Sequence, residues 1–251
     1  MIIKILFRKF RIAVIHLLTC HTKNMPTNDY IVFAPHPDDE TFGCGQLIAE
    51  MTSCGRDVFV VFLSSGGASH GRCCDLKPEE IEKARCQKAK EILTDLGVRL
   101  DNIFFMNMSD GELAGTIPPA YQKIKQLVES KNAATLLAPH PQEGWHDHEA
   151  VSALAAQLAA ETKKELFYFC VWFYFSMPFR KFHHVKWRKA YSVCQPDAWQ
   201  KKRAACQKYL THLAPCGNPY AGVLPDELIE AISHKNELFF KKEFKNNEKS
   251  E

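Results

Sequence analysis

The chain has 251 residues, 46% hydrophobic and 24% charged, with a formal net charge of +3. This is an ordinary globular balance, too weakly basic to argue for nucleic acid, and no Gly/Ser/Pro-rich linker divides it. Ten cysteines are scattered along it without a CxxC pair, so reduced thiols in a cytoplasmic protein are expected rather than a disulfide framework. Cys73-Cys74 is the pair to watch for oxidation.

Residues 1–28 precede the expected domain. Lys4, Arg8, Lys9 and Arg11 lead into an apolar run, Ile12 to Leu18, interrupted by His16. A bilayer span needs about 20 apolar residues, and no small-x-small cleavage site follows. Leu17-Leu18-Thr19-Cys20 matches a lipoprotein site only loosely. The segment reads as a basic amphipathic extension, packed on the domain or touching a membrane surface through residues 1–25.

Ile31 to Ala34 is an uninterrupted apolar, β-prone run, as in a strand buried on both faces. The turn Pro35-His36-Pro37-Asp38-Asp39-Glu40 follows, then a helix from Thr41 to Met51. Asp57 to Leu63 reads as a second strand, with Ser64-Ser65-Gly66-Gly67 as its turn and Ala68 to Gly71 as a loop beside the first cluster. Pro78 opens a long helix that Gly97 ends. Asn102 to Met106 is the next strand, Ser109-Asp110-Gly111 a turn, and Ile117 to Ser130 a helix. Thr135 to Ala138 is a strand leading into Pro139-His140-Pro141-Gln142-Glu143-Gly144-Trp145-His146-Asp147-His148, after which Glu149 to Glu161 is helical. The aromatic run Leu166 to Phe175 is expected as a core strand. Basic and aromatic residues alternate from Met177 to Lys189, which suits a solvated hairpin or a grip on phosphate or lipid headgroups. Helices at about 197–210 and 225–232 close the domain, and Lys241 to Glu251 is a charged tail expected to fray.

Strands alternating with helices imply an α/β fold, a Rossmann-like three-layer α/β/α sandwich on a mainly parallel sheet, over residues 29–240. Gly43-Cys44-Gly45 after a strand invites a dinucleotide site, but Ile48 stands where a third glycine belongs. The second strand also ends without a ribose-binding acid.

Two strand-to-helix turns therefore carry His and Asp, and parallel strands put both at one edge of the sheet, where such sheets bind ligands. Imidazole and carboxylate converging from two loops is the composition of a catalytic zinc site. The plainer reading is solvated acid at a helix N-terminus, which suffices for Glu40.

His36-Pro37-Asp38-Asp39-Glu40 together with Asp147-His148 resembles the zinc-dependent N-acetylglucosaminyl deacetylases of the PIG-L or LmbE-like family. Further agreement lies at Leu63 to His70, Arg85 and Gly222-Val223-Leu224-Pro225, so the resemblance covers about Asp29 to Phe240. The tail motifs point to a bacterial polysaccharide-associated branch. The resemblance implies one Zn²⁺ per chain held by His36, Asp39 and His148, with Asp38 as general base. It implies an N-acetylated sugar or glycoconjugate as substrate, and acetate and a free amino sugar as products. In the family a second histidine often stands three residues before the last ligand; here that position is Trp145. His140 and His146 are the candidates for its oxyanion role, His146 preferred by proximity. Arg85, Asp110 and Trp145 are expected as substrate contacts. Two alternatives stay open: a zinc hydrolase of another amide or ester, and a catalytically weak zinc-bound homologue, for which Trp145 is the argument. The oligomeric state is not legible.

Overall fold

The structure is a computed structural model and describes residues 2–19, 22–71, 73, 75–177, 179–211 and 214–244. In chain order its elements are α1 (Ile2–Leu18), β1 (Lys23–Asn24), β2 (Tyr30–Ala34), α2 (Asp39–Ser53), β3 (Val58–Ser64), α3 (Pro78–Asp95), β4 (Ile103–Met108) and α4 (Leu113–Ser130). There follow β5 (Thr135–Pro139), α5 (His146–Thr162), β6 (Glu165–Phe169), α6 (Phe173–Ser176), β7 (Ala190–Val193), α7 (Pro196–Tyr209), α8 (Asp226–Ile232) and β8 (Glu237–Lys241).

The strands form one sheet in the order β1-β7-β8-β6-β5-β2-β3-β4. All neighbours are parallel except β8, which runs against β6 and β7. The chain moves outward from β2 through β3 to β4, then returns to lay β5 against the other side of β2, in the register Tyr30↔Thr135 to Val32↔Leu137. That reversal is the switch point at which open α/β sheets bind ligands. Both His/Asp turns leave from it.

Alternation along β2 divides the core. Tyr30, Val32 and Ala34 face a cluster with Phe42, Leu47, Ile92 and Ala205 of α2, α3 and α7. Ile31 and Phe33 face Ile124, Val128, Leu154 and Leu158 of α4 and α5. Burying both faces accounts for the uninterrupted apolar runs in the strands, and the expected three-layer α/β/α sandwich is what forms.

Several local expectations are corrected. The run expected as a strand from Leu166 to Phe175 leaves the sheet at Phe169 and re-forms as the short helix α6. The carboxylate of Glu143, from another loop, accepts the backbone N–H groups of Val171 (3.0 Å) and Trp172 and so turns the chain. No hairpin forms over 179–189; the backbone makes two 3₁₀ turns, Phe179–His184 and Trp187–Lys189. Lys186 and Lys189 there pair with Glu243. The helices at the end of the chain are not its last element, because β8 follows them and inserts between β6 and β7. Lys241 is therefore in the sheet; residues 245–251 of the expected tail lie outside the described residues, as do Cys20 and Cys74.

Helix α4 begins at Leu113 rather than at 117, with Pro118 and Pro119 inside it. The N–H of its first residue, Leu113, and that of Gly111 just before it are satisfied at a distance, by the carboxylate of Asp147. The Gly43-Cys44-Gly45 run is a break in α2, where Cys44 leaves helical geometry at φ −144°. A Cβ on Gly43 would sit 2.1 Å from the Phe169 ring. The N–H groups of Gln46 and Leu47, exposed by the break, donate to buried Glu237 at 3.0 and 2.8 Å. Lys202 Nζ completes that arrangement, 2.7 Å from Glu237 and 2.8 Å from the Phe42 carbonyl.

The N-terminal segment is the helix α1. Ile12 and Ile15 are buried in a third cluster with Phe173, Ala231 and Leu238, and Lys9 reaches Glu230 at 3.3 Å. Leu6, Phe10 and Leu17 stay 62%, 61% and 72% exposed on the other side. Among the described residues, no helix is long and apolar enough to cross a membrane.

Candidate active site

The turn after β2 is held in an unusual shape. Asp38 has φ 139° and ψ −32°, a conformation an L residue adopts at a cost of about 1–3 kcal/mol. Glu40, fully buried, holds it there: Oε2 accepts the Asp38 N–H at 2.9 Å, and Oε1 accepts the hydroxyls of Thr41 (2.6 Å) and Tyr209 (2.8 Å). Burial lifts the Glu40 carboxyl to about 7 against those bonds. Glu40 thus sits in the first turn of α2, as expected of an acid at a helix N-terminus, but it is buried rather than solvated.

The strained turn aims three groups at one point. His36 Nδ1 lies 3.2 Å from Asp39 Oδ2, and His148 Nε2 lies 3.4 Å from the same oxygen. The His36 and His148 rings are 5.8 Å apart. Each imidazole is backed by acid on its far side. His36 Nε2 donates to Asp110 Oδ1 (2.9 Å) and Asp147 Oδ2 (3.2 Å), while His148 Nδ1 lies 3.6 Å from Glu143. Carboxylates behind imidazoles fix tautomer and ring orientation in metal sites. Burial opposes charge on His36, but its bonds to Asp110, Asp147 and Asp39 outweigh that and raise its pKa well above the usual value. Burial likewise opposes the charged form of Asp39, yet His148 and His36 hold its carboxyl low.

The donor set His36–Asp39–His148 fits a divalent metal, with the near ring nitrogens and one carboxylate oxygen within reach of one another. A second grouping, His36–Asp110–Asp147, shares the imidazole. Its carboxylates are already committed: Asp147 accepts the N–H groups of Gly111 (2.8 Å) and Leu113 (3.1 Å), and Asp110 Oδ2 accepts that of Ala68 (2.9 Å). We read these two acids as holding His36. Four aspartates, residues 38, 39, 110 and 147, border the cleft beside Arg85, an imbalance a cation would offset.

Asp38 itself is buried beside the triad. Burial pushes its carboxyl up, and the Arg85 guanidinium, 2.9 Å from Oδ2, works against that. Arg85 also donates to the carbonyls of Pro37 (2.8 Å) and Gly66 (3.0 Å). The expected substrate contact thus spends its guanidinium on the turn, although it lines the cleft. Asp110 lines it too, with both oxygens engaged as above.

The cleft has a volume of about 510 Å³. Trp145, half exposed, stands at its edge with its ring 5.0 Å from Trp172. Helix α5 begins at His146 rather than at 149, so His146 and His148 share its first turn on different sides. His146 faces the cleft. His140 does not; it is buried among Phe173, Phe240 and Tyr168, with ring separations of 4.5, 5.3 and 5.9 Å. Glu143, Asp147 and the clamp by Glu40 are the parts that sequence reasoning missed. Only Asp147, adjacent to the expected ligand His148, carried a signal.

Residues 31–159 match the PIG-L family profile, described as GlcNAc-PI de-N-acetylase. Over 142 residues the chain is 28% identical to a diacetylchitobiose deacetylase of Thermococcus kodakarensis, covering 53% of this chain and 51% of that protein. The chain thus spans about half the length of the curated relative it matches. The N,N′-diacetylchitobiose deacetylase of Pyrococcus horikoshii superposes with a TM-score of 0.64 at 18% identity, over 85% of this chain and 83% of that one. A conserved protein of Thermus thermophilus superposes with a TM-score of 0.55 at 23% identity, over 72% and 78%. At these identities the structural likeness establishes the fold.

Proposed function

The chain belongs to the PIG-L family, and from that premise we propose that it is a zinc-dependent hydrolase removing the acetyl group from an N-acetylated amino sugar. The observation that carries this reading is the convergence of His36, Asp39 and His148 in a cleft where Asp38 lies buried beside them. Two imidazoles and one carboxylate suit zinc.

Zinc held by His36, Asp39 and His148 would supply Lewis acidity toward the acetamide carbonyl and would lower the pKa of water toward about 7. Asp38 takes the proton of the attacking water and delivers it to the amide nitrogen as the C–N bond breaks. Acetate and a free amine leave. Arg85 and Glu40 keep that carboxyl in position, one from its side chain and one from its backbone. His146 is assigned to donate to the carbonyl oxygen as negative charge develops there. Trp145 and Trp172 give the sugar an aromatic wall. Arg85 and Asp110, which also line the cleft, are assigned to substrate contact as well as to holding Asp38 and His36.

A cytoplasmic location with peripheral membrane contact through α1 is part of the same proposal; the exposed Leu6, Phe10 and Leu17 support the membrane contact. Co-sedimentation with anionic vesicles should fall on changing these three residues to Asp; equal binding by the variant contradicts the contact.

Acetate release from a panel of N-acetylated sugars, with N,N′-diacetylchitobiose and N-acetylglucosamine as first members, tests the substrate class. Release from simple acetate esters alone would contradict it. His146→Ala should lower kcat by the equivalent of about 2.7–4 kcal/mol with metal retained. Trp145→Ala should raise KM.

A further inference from the structure

A second group of metal-ligating side chains lies away from the triad. His70 closes a 3₁₀ turn, Gly67–His70, beyond β3; Cys73 follows it, and Cys216 comes from the segment between α7 and α8. His70 Nδ1 lies 3.2 Å from Cys73 Sγ and 3.5 Å from Cys216 Sγ, and the two sulfurs are 3.6 Å apart. None of these three residues belongs to the triad, and none lines the cleft.

The separations match coordination to one ion. Zinc–sulfur bonds of about 2.3 Å and zinc–nitrogen bonds of about 2.05 Å at a tetrahedral angle place sulfurs about 3.8 Å apart and sulfur about 3.5 Å from nitrogen. A disulfide requires a sulfur–sulfur distance of about 2.05 Å, well short of the one found. The imidazole is prepared for the role. His70 is 1% exposed, and its Nε2 donates to the carbonyl of Pro219 at 2.9 Å. That bond fixes the proton on Nε2 and turns the Nδ1 lone pair toward both sulfurs. A cation placed among the three would engage the Nδ1 lone pair and both sulfurs at once. A backbone carbonyl on the far nitrogen is also the usual support of a metal-bound histidine.

We propose that His70, Cys73 and Cys216 form a second, structural zinc site, distinct from the catalytic centre. Two thiolates and an imidazole make a soft donor set that zinc favours, with a fourth donor completing the tetrahedron. Binding releases the two thiol protons to solvent. The ion joins two segments that wall the cleft. Ala68 and Ser69 line it from one side of the junction, and Ala221 to Leu224 from the other. Ser69 Oγ already donates to the Tyr220 carbonyl at 3.0 Å, and the His70 ring meets the Tyr220 ring edge-on at 5.9 Å. Zinc here would fix the shape of that wall without taking part in the reaction, so the site can stand or fall independently of the proposed activity.

The test uses the full chain, reduced, stripped of metal and titrated with Co²⁺, whose bonds to sulfur give an intense near-ultraviolet charge-transfer band. The catalytic triad contains no sulfur and cannot produce it. The expected result is two metals per chain and a sulfur-to-cobalt band in the wild type. The band should persist in His36→Ala, with one metal lost. It should vanish in the double variant Cys73→Ser/Cys216→Ser, again with one metal lost. If that variant does not fold, the wild-type stoichiometry and band decide alone. One metal and no sulfur band in the wild type would overturn the site. So would a band surviving in the folded double variant, or a Cys73–Cys216 disulfide in the protein as isolated from the cell.

Discussion

Glu40 Oε2 accepts the backbone N–H of Asp38 at 2.9 Å, and this bond holds Asp38 at φ 139° beside the proposed metal ligands. The acid two residues after the proposed base thus acts through the main chain. Small displacements of reacting groups can cost about 10²-fold in rate. Glu40→Ala should therefore lower kcat by up to about 10²-fold with metal content unchanged. Glu40→Gln, which keeps an acceptor oxygen, should recover most of the loss. Equal kcat in wild type and Glu40→Ala would show that the turn keeps its shape without this bond.

Asp147 backs His36 and also receives the N–H groups of Gly111 and of Leu113, the first residue of α4. Carboxylates behind a metal-bound histidine typically contribute about 10–100-fold in metal affinity. Asp147→Asn should weaken metal binding by that factor, with all three ligands intact. Titration with a competing chelator measures it, and an unchanged affinity contradicts the role given to Asp147.

Lys202 is the buried cation beside Glu237, where β8 caps the second half of α2. Burial raises the Glu237 carboxyl, and Lys202 counters it. Removing one partner of such a pair costs about 3–5 kcal/mol. Lys202→Met should lose that much in urea unfolding, and Lys202→Met/Glu237→Gln should regain part of it. A single variant as stable as wild type would mean that the charge on Glu237 is carried by its backbone donors alone.

His140 gives a pH dependence with a definite sign. Burial pushes its pKa from 6.5 down to about 3. In that window the unfolded chain binds the extra proton and the folded chain does not, so stability rises with pH. The contribution is full above 6.5 and is lost as pH falls toward 3; by pH 5 the loss from this group is about 2 kcal/mol. His140→Leu should flatten the wild-type slope between pH 7 and 5 by that amount. An unchanged slope would show that the imidazole titrates normally in the fold.

What the sequence revealed and what it hid have physical reasons. Strands β2 and β5 were legible because burial on both faces leaves unbroken apolar runs, each ended by a burst of His, Asp and Pro. The proposed ligands His36, Asp39 and His148 follow from those bursts and the family pattern. Strand β8 was not legible, since its apolar stretch, Leu238 to Phe240, is only three residues long and runs directly into the charged tail. The end of β6 was hidden in continuous aromatics, because the group that turns the chain, Glu143, comes from another loop. The backing of His36 by Asp110 and Asp147 depends on β4 and β5 reaching the same sheet edge, which only the strand order supplies.

The central claim is that Asp38 moves the proton while His36, Asp39 and His148 hold the metal. Its most direct measurement is acetate release from N,N′-diacetylchitobiose by wild type and Asp38→Asn, with metal content determined on the same samples. The account predicts equal metal in both and a rate about 10²–10⁴-fold lower in the variant. Near-wild-type release by metal-loaded Asp38→Asn would contradict it.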